Sequence, residues 1–241
     1  MVGSGLTQRV CRAEAAQSKL LASSGFVHAF AGVETATRAE LAETLRVPEF
    51  ALYEVNQVHG PVVAVAAGDT ASMRRFDADA LIATPEQARA VAVRTADCVP
   101  ILLADLRSGA VAAVHAGWRG IEARVLGAAI SALPDSAELV AAIGPHIGPC
   151  CFEVSLDVAE RISNAASAAV VRRTRADKAW VDLGEAARVQ LHMLGLPDTH
   201  IDLLAHCTFC SSGYHSYRRD GAAAGRQWSA IVSDVRSKTA R

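Results

Sequence analysis

The chain has 241 residues, 51% of them hydrophobic and 20% charged, with a formal net charge of −1. That composition fits a globular protein with a sizeable core that needs no disulfide staples. Near-neutral charge removes any general attraction to phosphate backbones, and the longest apolar runs, Ala110 to Val114 and Leu139 to Ile143, fall far short of the roughly 18 residues that span a bilayer; neither a nucleic-acid nor a membrane partner is expected.

Residues 1 to 25 mix Arg, Ala, Gln and Ser without a clear period and are set apart as an N-terminal segment, with residues 26 to 241 as a single catalytic domain. Only Arg9 is basic in the first ten residues and no apolar stretch of signal-peptide length is found there, which points to a cytoplasmic protein whose six cysteines are thiols or ligands. From Gly25 onward, short β-rich runs follow one another: Pro61 to Ala67, Ala78 to Ala83, Ala90 to Arg94, Pro100 to Asp105 and Gly109 to His115. Closely spaced turn signals, notably Leu106 to Gly109, favour hairpins. Ile121, Val125, Leu126, Ala129, Ile130 and Leu133 then share one helical face, ended by Pro134. Glu138 to Ile143 reads as a strand, Ser155 to Val171 as an alanine-rich helix capped by Ser155, and Asp182 to about Leu194 as another helix. Ile201 to Ala205 and Gln227 to Val232 are the last strands. Strands in bulk with late helices and no βαβ alternation give an α+β fold with stacked sheets. The basic cluster Arg172, Arg173, Arg175 and Lys178 reads as a solvated helix end.

Three segments carry the sharpest chemical signal: His59 in Asn56-Gln-Val-His-Gly60, Cys98 in Thr95-Ala-Asp-Cys-Val-Pro100, and His115 in Val114-His-Ala-Gly-Trp-Arg-Gly120. Two imidazoles and a thiol are a three-ligand zinc set, which leaves one coordination position open for water or substrate. The plain alternative is two surface histidines and a small buried thiol. Against it, each candidate falls at a strand end, where rigid neighbours can aim it at a common rim. Asn56, Gln57, Asp79, Asp97 and Arg119 stand near these ligands. Asp79 interrupts an apolar strand, where an unpaired carboxylate is costly, so it is a partner for a ligand imidazole, a general base, or an outward residue on an edge strand. Asp97 is a proton carrier or a turn cap.

A second constellation, Ser216-Tyr-Arg-Arg-Asp220 with Gly221, Gly225 and Arg226, offers Arg218 and Arg219 for phosphate or carboxylate, against solvated arginines on a hairpin. A third comprises Cys150-Cys151 and His206-Cys-Thr-Phe-Cys210. It allows a structural zinc site or a redox pair, but adjacent cysteines do not easily share one ion, so buried thiols are the default. A nucleophile elbow, a dinucleotide fingerprint and a phosphate loop are all missing from the sequence. Copper chemistry is disfavoured, since no His-x-His occurs and the only methionines are Met1, Met73 and Met193.

Taken together, Asn56 to Gly60, Ala78 to Ile82, Thr95 to Asp105, Val114 to Gly120, Ile143 to Val154, Cys207-Thr and Ser216 to Gly221 resemble the bacterial YfiH-type family, also called laccase-domain or polyphenol-oxidase-like proteins and zinc-dependent purine nucleoside phosphorylases. The resemblance implies a four-layer α/β/β/α sandwich and a catalytic zinc on His59, Cys98 and His115. It also implies phosphorolysis of adenosine, inosine and methylthioadenosine and deamination of adenosine, with nucleoside and phosphate as partners. One departure is visible: where the family has a glycine-rich, Arg-containing stretch leading to Ser-Leu-Asn, this chain runs from Phe26 to Glu34 directly into Thr37-Arg-Ala-Glu40. Two competing readings use the same residues. One is a peptidoglycan-precursor editing hydrolase that removes misincorporated serine, with Cys98 as nucleophile or a metal-bound water as attacker; the other is a metal-binding partner protein without activity.

Overall fold

In a computed structural model, residues 16–86, 89–134, 138–173 and 175–233 are described. In chain order the elements are α1 (Lys19–Ser23), β1 (His28–Phe30), α2 (Arg38–Leu45), β2 (Leu52–Tyr53), β3 (Val63–Val65), α3 (Thr70–Met73), β4 (Ala80–Ala83), β5 (Ala90–Thr95), β6 (Val99–Asp105), β7 (Val111–Ala116), α4 (Trp118–Glu122) and α5 (Val125–Ala132). There follow β8 (Leu139–Ile143), β9 (Glu153–Ser155), α6 (Leu156–Ala165), β10 (Val171–Arg173), β11 (Lys178–Val181), α7 (Leu183–Met193), β12 (Ile201–Leu203), α8 (Tyr217–Asp220) and β13 (Gln227–Val232).

A six-stranded sheet runs β12-β8-β6-β7-β4-β3 and a four-stranded sheet β1-β13-β5-β2. Side-chain alternation sorts each strand between two faces. In β4, Leu81 and Ala83 join Leu102 and Ala104 of β6, Val91 and Val93 of β5 and Ile231 of β13 in the core between the sheets. Ala80 and Ile82, with Ile101 and Leu103, face the other way onto Ile121, Leu126, Ile162 and Leu191 of α4, α5, α6 and α7. On the far side of the four-stranded sheet, Ala90, Ala92, Trp228 and Ala230 pack on Leu41, Ala42 and Leu45 of α2. The layers are therefore helix, sheet, sheet, helix, the α/β/β/α sandwich that the motifs imply. Strands covered on both faces read as unbroken apolar runs, which is why β6 and β7 are so apolar in sequence.

The β6–β7 hairpin forms where expected, its turn set by Asp105, whose carboxylate accepts the Arg107 and Ser108 N–H groups. Asp182 caps α7 by accepting from the Glu185 N–H. The helix read as continuous from Ile121 to Leu133 is instead two, because Arg124 takes a left-handed conformation (φ 57°) between α4 and α5. Helix α6 stops at Ala165 rather than reaching Val171: the Ser167 hydroxyl accepts from the Ala169 N–H, a local alternative to helix, and the chain becomes β10. Ser155 holds the N-cap position of α6 without a capping hydrogen bond. Arg172 and Lys178 consequently sit on the β10–β11 hairpin and not at a helix end. Helix α2 goes unforeseen, although Thr37 and Glu40 form a reciprocal capping box.

Residues 16 to 25 pack with the rest: Leu21 is fully buried in the core between the sheets and Ala16 pairs with Phe30. Residues 1 to 15 lie outside the described part. Among the described residues no helix is long and apolar enough to cross a membrane.

Candidate metal centre

The three candidate ligands come from three places in the sandwich. His59 lies in the connection from β2 to β3. Cys98 lies in the short crossing Ala96-Asp97-Cys98, which carries the chain from β5 in one sheet to β6 in the other. His115 lies near the end of β7, opposite Pro100. One donor atom from each falls within 4.8 Å of the others, and the two imidazole rings meet edge to face with centroids 4.8 Å apart.

Asp79 organises two of the three. It is buried, and its carboxylate accepts the backbone N–H groups of Val58, His59 and Gly60 at 3.2, 2.9 and 2.7 Å, together with Nδ1–H of His115 at 2.7 Å. The loop bearing His59 is thereby clamped with His59 in the left-handed region (φ 65°), and the His115 ring is turned so that Nε2 faces the cluster. Burial favours the neutral acid, but His115 and the Gly60 and His59 amides outweigh it and hold Asp79 below the usual carboxylate range.

Asp97 also has a left-handed backbone (φ 85°), and its carboxylate accepts the Thr208 hydroxyl and the Arg218 N–H, both at 2.6 Å. These bonds fix the crossing that presents Cys98. Burial pushes the Cys98 thiol up, yet hydrogen bonds and charge from His115 and His59 prevail and bring it down to about 6. Burial likewise opposes the charged form of His115, but Asp79 and Cys98 raise it to about 9. Near neutral pH the pair is thiolate and imidazolium, already polarised for exchange of a proton against a cation. Gly117 matters here through space and not through its backbone angles, which are ordinary (φ −70°). A Cβ there would sit 2.9 Å from Cys98 Sγ and 3.2 Å from a carbon of the His59 ring.

The cluster opens onto a cavity of about 760 Å³. Asn56, Gln57, Asp97 and Arg218 line it, as do Arg94, Trp118, Phe152, Tyr217 and Arg226. Several sequence candidates are committed elsewhere. The Gln57 amide is spent on the Arg94 backbone, donating to its carbonyl and accepting its N–H, both at 2.8 Å. Asn56 donates to Asp77. Arg119 lies outside the cavity, stacked over Trp118 with its guanidinium 4.4 Å from the ring centroid. Arg219 also points away, donating to the carbonyls of Thr208, Phe209, Ser211 and Tyr214 and pairing with Asp220, so that it staples a loop. Arg218 remains at the wall, over the Phe152 ring, and Arg226 lies over Tyr217.

Sequence reasoning passed over Arg94, Trp118, Phe152 and Tyr217 as site residues. A signal was available for the rings: in a chain with only 5% aromatic residues, these three fall inside or beside the motif segments. The short Phe26 to Glu34 stretch folds against residue 213, Val33 donating to the Gly213 carbonyl, and contributes nothing to the cavity wall.

A family described as multi-copper polyphenol oxidoreductase laccase matches residues 31–234. The chain belongs to this family. Within its laccase-like relatives, the purine nucleoside phosphorylase SCO2081 of Streptomyces coelicolor is 36% identical over 237 residues, covering 93% of this chain and 94% of that protein. Adenosine deaminase RL5, from an unknown prokaryotic organism, is 38% identical over 161 residues, 64% of this chain and 61% of its own. The crystal structure of YlmD from Geobacillus stearothermophilus superposes with a TM-score of 0.72 at 30% identity, covering 82% of this chain and 78% of that one. The sandwich and the family thus agree with the resemblance carried by the motifs.

Proposed function

We propose that this laccase-like protein is a zinc-dependent enzyme of purine nucleosides, catalysing phosphorolysis of adenosine, inosine and methylthioadenosine and deamination of adenosine. The observation that carries the reading is the convergence of His59, Cys98 and His115 at an open cavity that offers aromatic faces and guanidinium groups side by side. The names of the relatives support the same substrate class.

The donor set fits zinc: one thiolate and two imidazoles, with Nδ1 of His115 held by Asp79 and Nε2 turned toward Cys98. Copper of the blue type commonly adds an axial methionine, and Met73 on α3 is not among the lining residues. When bound, zinc supplies a Lewis acid that polarises an oxygen of phosphate or water. Everything else falls to the chain itself. Phe152, Tyr217 and Trp118 provide ring faces for a purine, each such stacking worth about 1–3 kcal/mol. Arg94, Arg218 and Arg226 supply the positive charge that orients phosphate against the sugar carbon. Asp79 and Asp97 act as positioning residues, because backbone, hydroxyl and ring donors engage their oxygens. The free thiols of Cys98, Cys150, Cys151, Cys207 and Cys210 suit a reducing, cytoplasmic setting.

The test is to assay wild type and Cys98→Ala for turnover of adenosine, inosine and methylthioadenosine with and without phosphate, and of a nucleotide-linked muramyl seryl peptide, measuring zinc on the same samples. The reading expects phosphate-dependent release of free base, conversion of adenosine to inosine, and loss of both together with the Cys98-bound zinc. Zinc-loaded protein that leaves all three nucleosides intact overturns it, and cleavage of the muramyl peptide alone replaces it with the editing hydrolase.

A further inference from the structure

We propose that Cys150, Cys151, Cys207 and Cys210 form a second zinc site, a closed clasp of four thiolates that pins the wall of the cavity. Their sulfur atoms lie within 4.8 Å of one another. Cys210 Sγ is 3.7 Å from that of Cys150 and 3.4 Å from that of Cys151. Four sulfurs around zinc at about 2.3 Å stand about 3.8 Å apart in a tetrahedron, whereas a disulfide holds two at about 2.05 Å. The observed spacings belong to the first arrangement, and all four cysteines are free.

The backbone explains how adjacent cysteines can serve one ion, against the expectation of buried thiols: Cys150 and Cys210 are in fact exposed, and the other two are half-buried. The N–H groups of both Cys151 and Phe152 donate to the Gly148 carbonyl, and this tight turn brings Cys150 and Cys151 to the same side. Cys207 and Cys210 are separated by two residues, the spacing of a zinc knuckle. The two segments are held in register by the His146–Cys207 bridge and by the Thr208 N–H on the His146 carbonyl. Gly148 donates its N–H to Cys207 Sγ at 3.2 Å, and a Cβ at Gly148 would lie 3.3 Å from Cys150 Sγ and 3.2 Å from the Cys207 Cβ, so the turn is cut close around the sulfurs.

With four protein donors no position is left for substrate, so the site is structural. Its position gives it work to do. Ile147 and Phe152 flank the Cys150–Cys151 turn and line the cavity, Arg218 donates to the carbonyls of Cys151 and Glu153, and Thr208, next to Cys207, donates to Asp97. The clasp therefore braces the crossing that presents Cys98 and the ring and guanidinium of the opposite wall. The inference does not depend on the nucleoside reading.

The test is metal analysis of protein purified without chelator under reducing conditions, for wild type and for His59→Ala/His115→Ala, which empties the first site. The expected zinc content falls from about two per chain to about one, four thiolates retaining theirs without the histidines. Adding Cys207→Ser and Cys210→Ser removes the remainder. Because those serines risk the fold, the histidine variant is also loaded with Co²⁺, where a tetrahedral four-thiolate site gives strong sulfur-to-cobalt charge-transfer bands. A histidine variant that purifies without zinc and binds Co²⁺ without those bands overturns the proposal, as does a disulfide among the four cysteines found by mass spectrometry of the reductant-free wild type. Nucleoside turnover is scored separately, so its absence leaves this result intact.

Discussion

The 2.7 Å hydrogen bond from His115 Nδ1 to Asp79 Oδ1 joins the end of β7 to the residue just before β4, and the same carboxylate grips the loop that carries His59. One buried group thus sets two ligands at once. In Asp79→Asn an amide replaces one acceptor and points a donor at the Val58 and Gly60 N–H groups. Zinc affinity should fall about 10–100-fold, with a lower melting temperature. Competition with a chromophoric chelator and calorimetry measure both; an unchanged affinity would detach Asp79 from the centre.

The ionisation of the metal-free cluster sets a pH dependence. With His115 raised to about 9 and Cys98 lowered to about 6, the protein between these values holds a proton on the imidazole and none on the sulfur. Zinc needs both in their unprotonated forms, so binding in this window releases about one proton, from His115. Affinity should climb about tenfold per pH unit up to about 9 and level off above, while below about 6 the Cys98 proton must leave as well and the slope doubles. Titration calorimetry in buffers of different ionisation enthalpy counts the protons. No release at pH 7.5 would contradict the imidazolium.

Gly117→Ala tests the packing around the ligands. The backbone there accepts any residue, but the new methyl group would press on Cys98 Sγ and the His59 ring. Thermal stability should change little, while turnover drops on the order of 10²-fold as the sulfur is displaced. Equal loss of stability and activity would point to general misfolding instead.

Arg226 and Arg219 should separate cleanly. Arg226→Ala removes a guanidinium from the cavity wall and is expected to raise KM for phosphate at least about tenfold without altering zinc content. Arg219→Ala unpins four carbonyls and should cost about 2 kcal/mol of stability, with KM for phosphate unchanged. Denaturant unfolding and phosphate kinetics on both variants decide the matter.

Much of the sandwich was legible because its strands alternate under cover on both faces: Leu81 and Ile82 look alike in sequence and point into different cores. Cys98 and His115 were legible because they border strands, whereas His59 lies not at a strand end, as expected, but within the β2–β3 loop, where Asp79 rather than a strand fixes it. Helix α2 was hidden by a short, half-polar sequence in which only Leu41, Ala42 and Leu45 bury. The arginines were the least legible. A guanidinium on a long stem goes wherever carbonyls or rings lie in three dimensions, so Arg219 beside Arg218 reads the same in sequence and points the other way in space. The four-cysteine cluster was obscured because a turn at Gly148, set by its contacts with a segment some sixty residues on, brings neighbours in sequence to one side.

The crossing through Asp97 and Cys98 leads from the four-stranded sheet into β6 of the six-stranded one, His115 lies in β7 of that sheet, and the His59 loop leads from β2 into its strand β3. Because β3, β6 and β7 belong to one sheet, the three donors meet only when its strands are in register. A chain in which they have slipped past one another would be left unable to hold an ion there, so that occupancy would act as an inspection stamp on this one sheet.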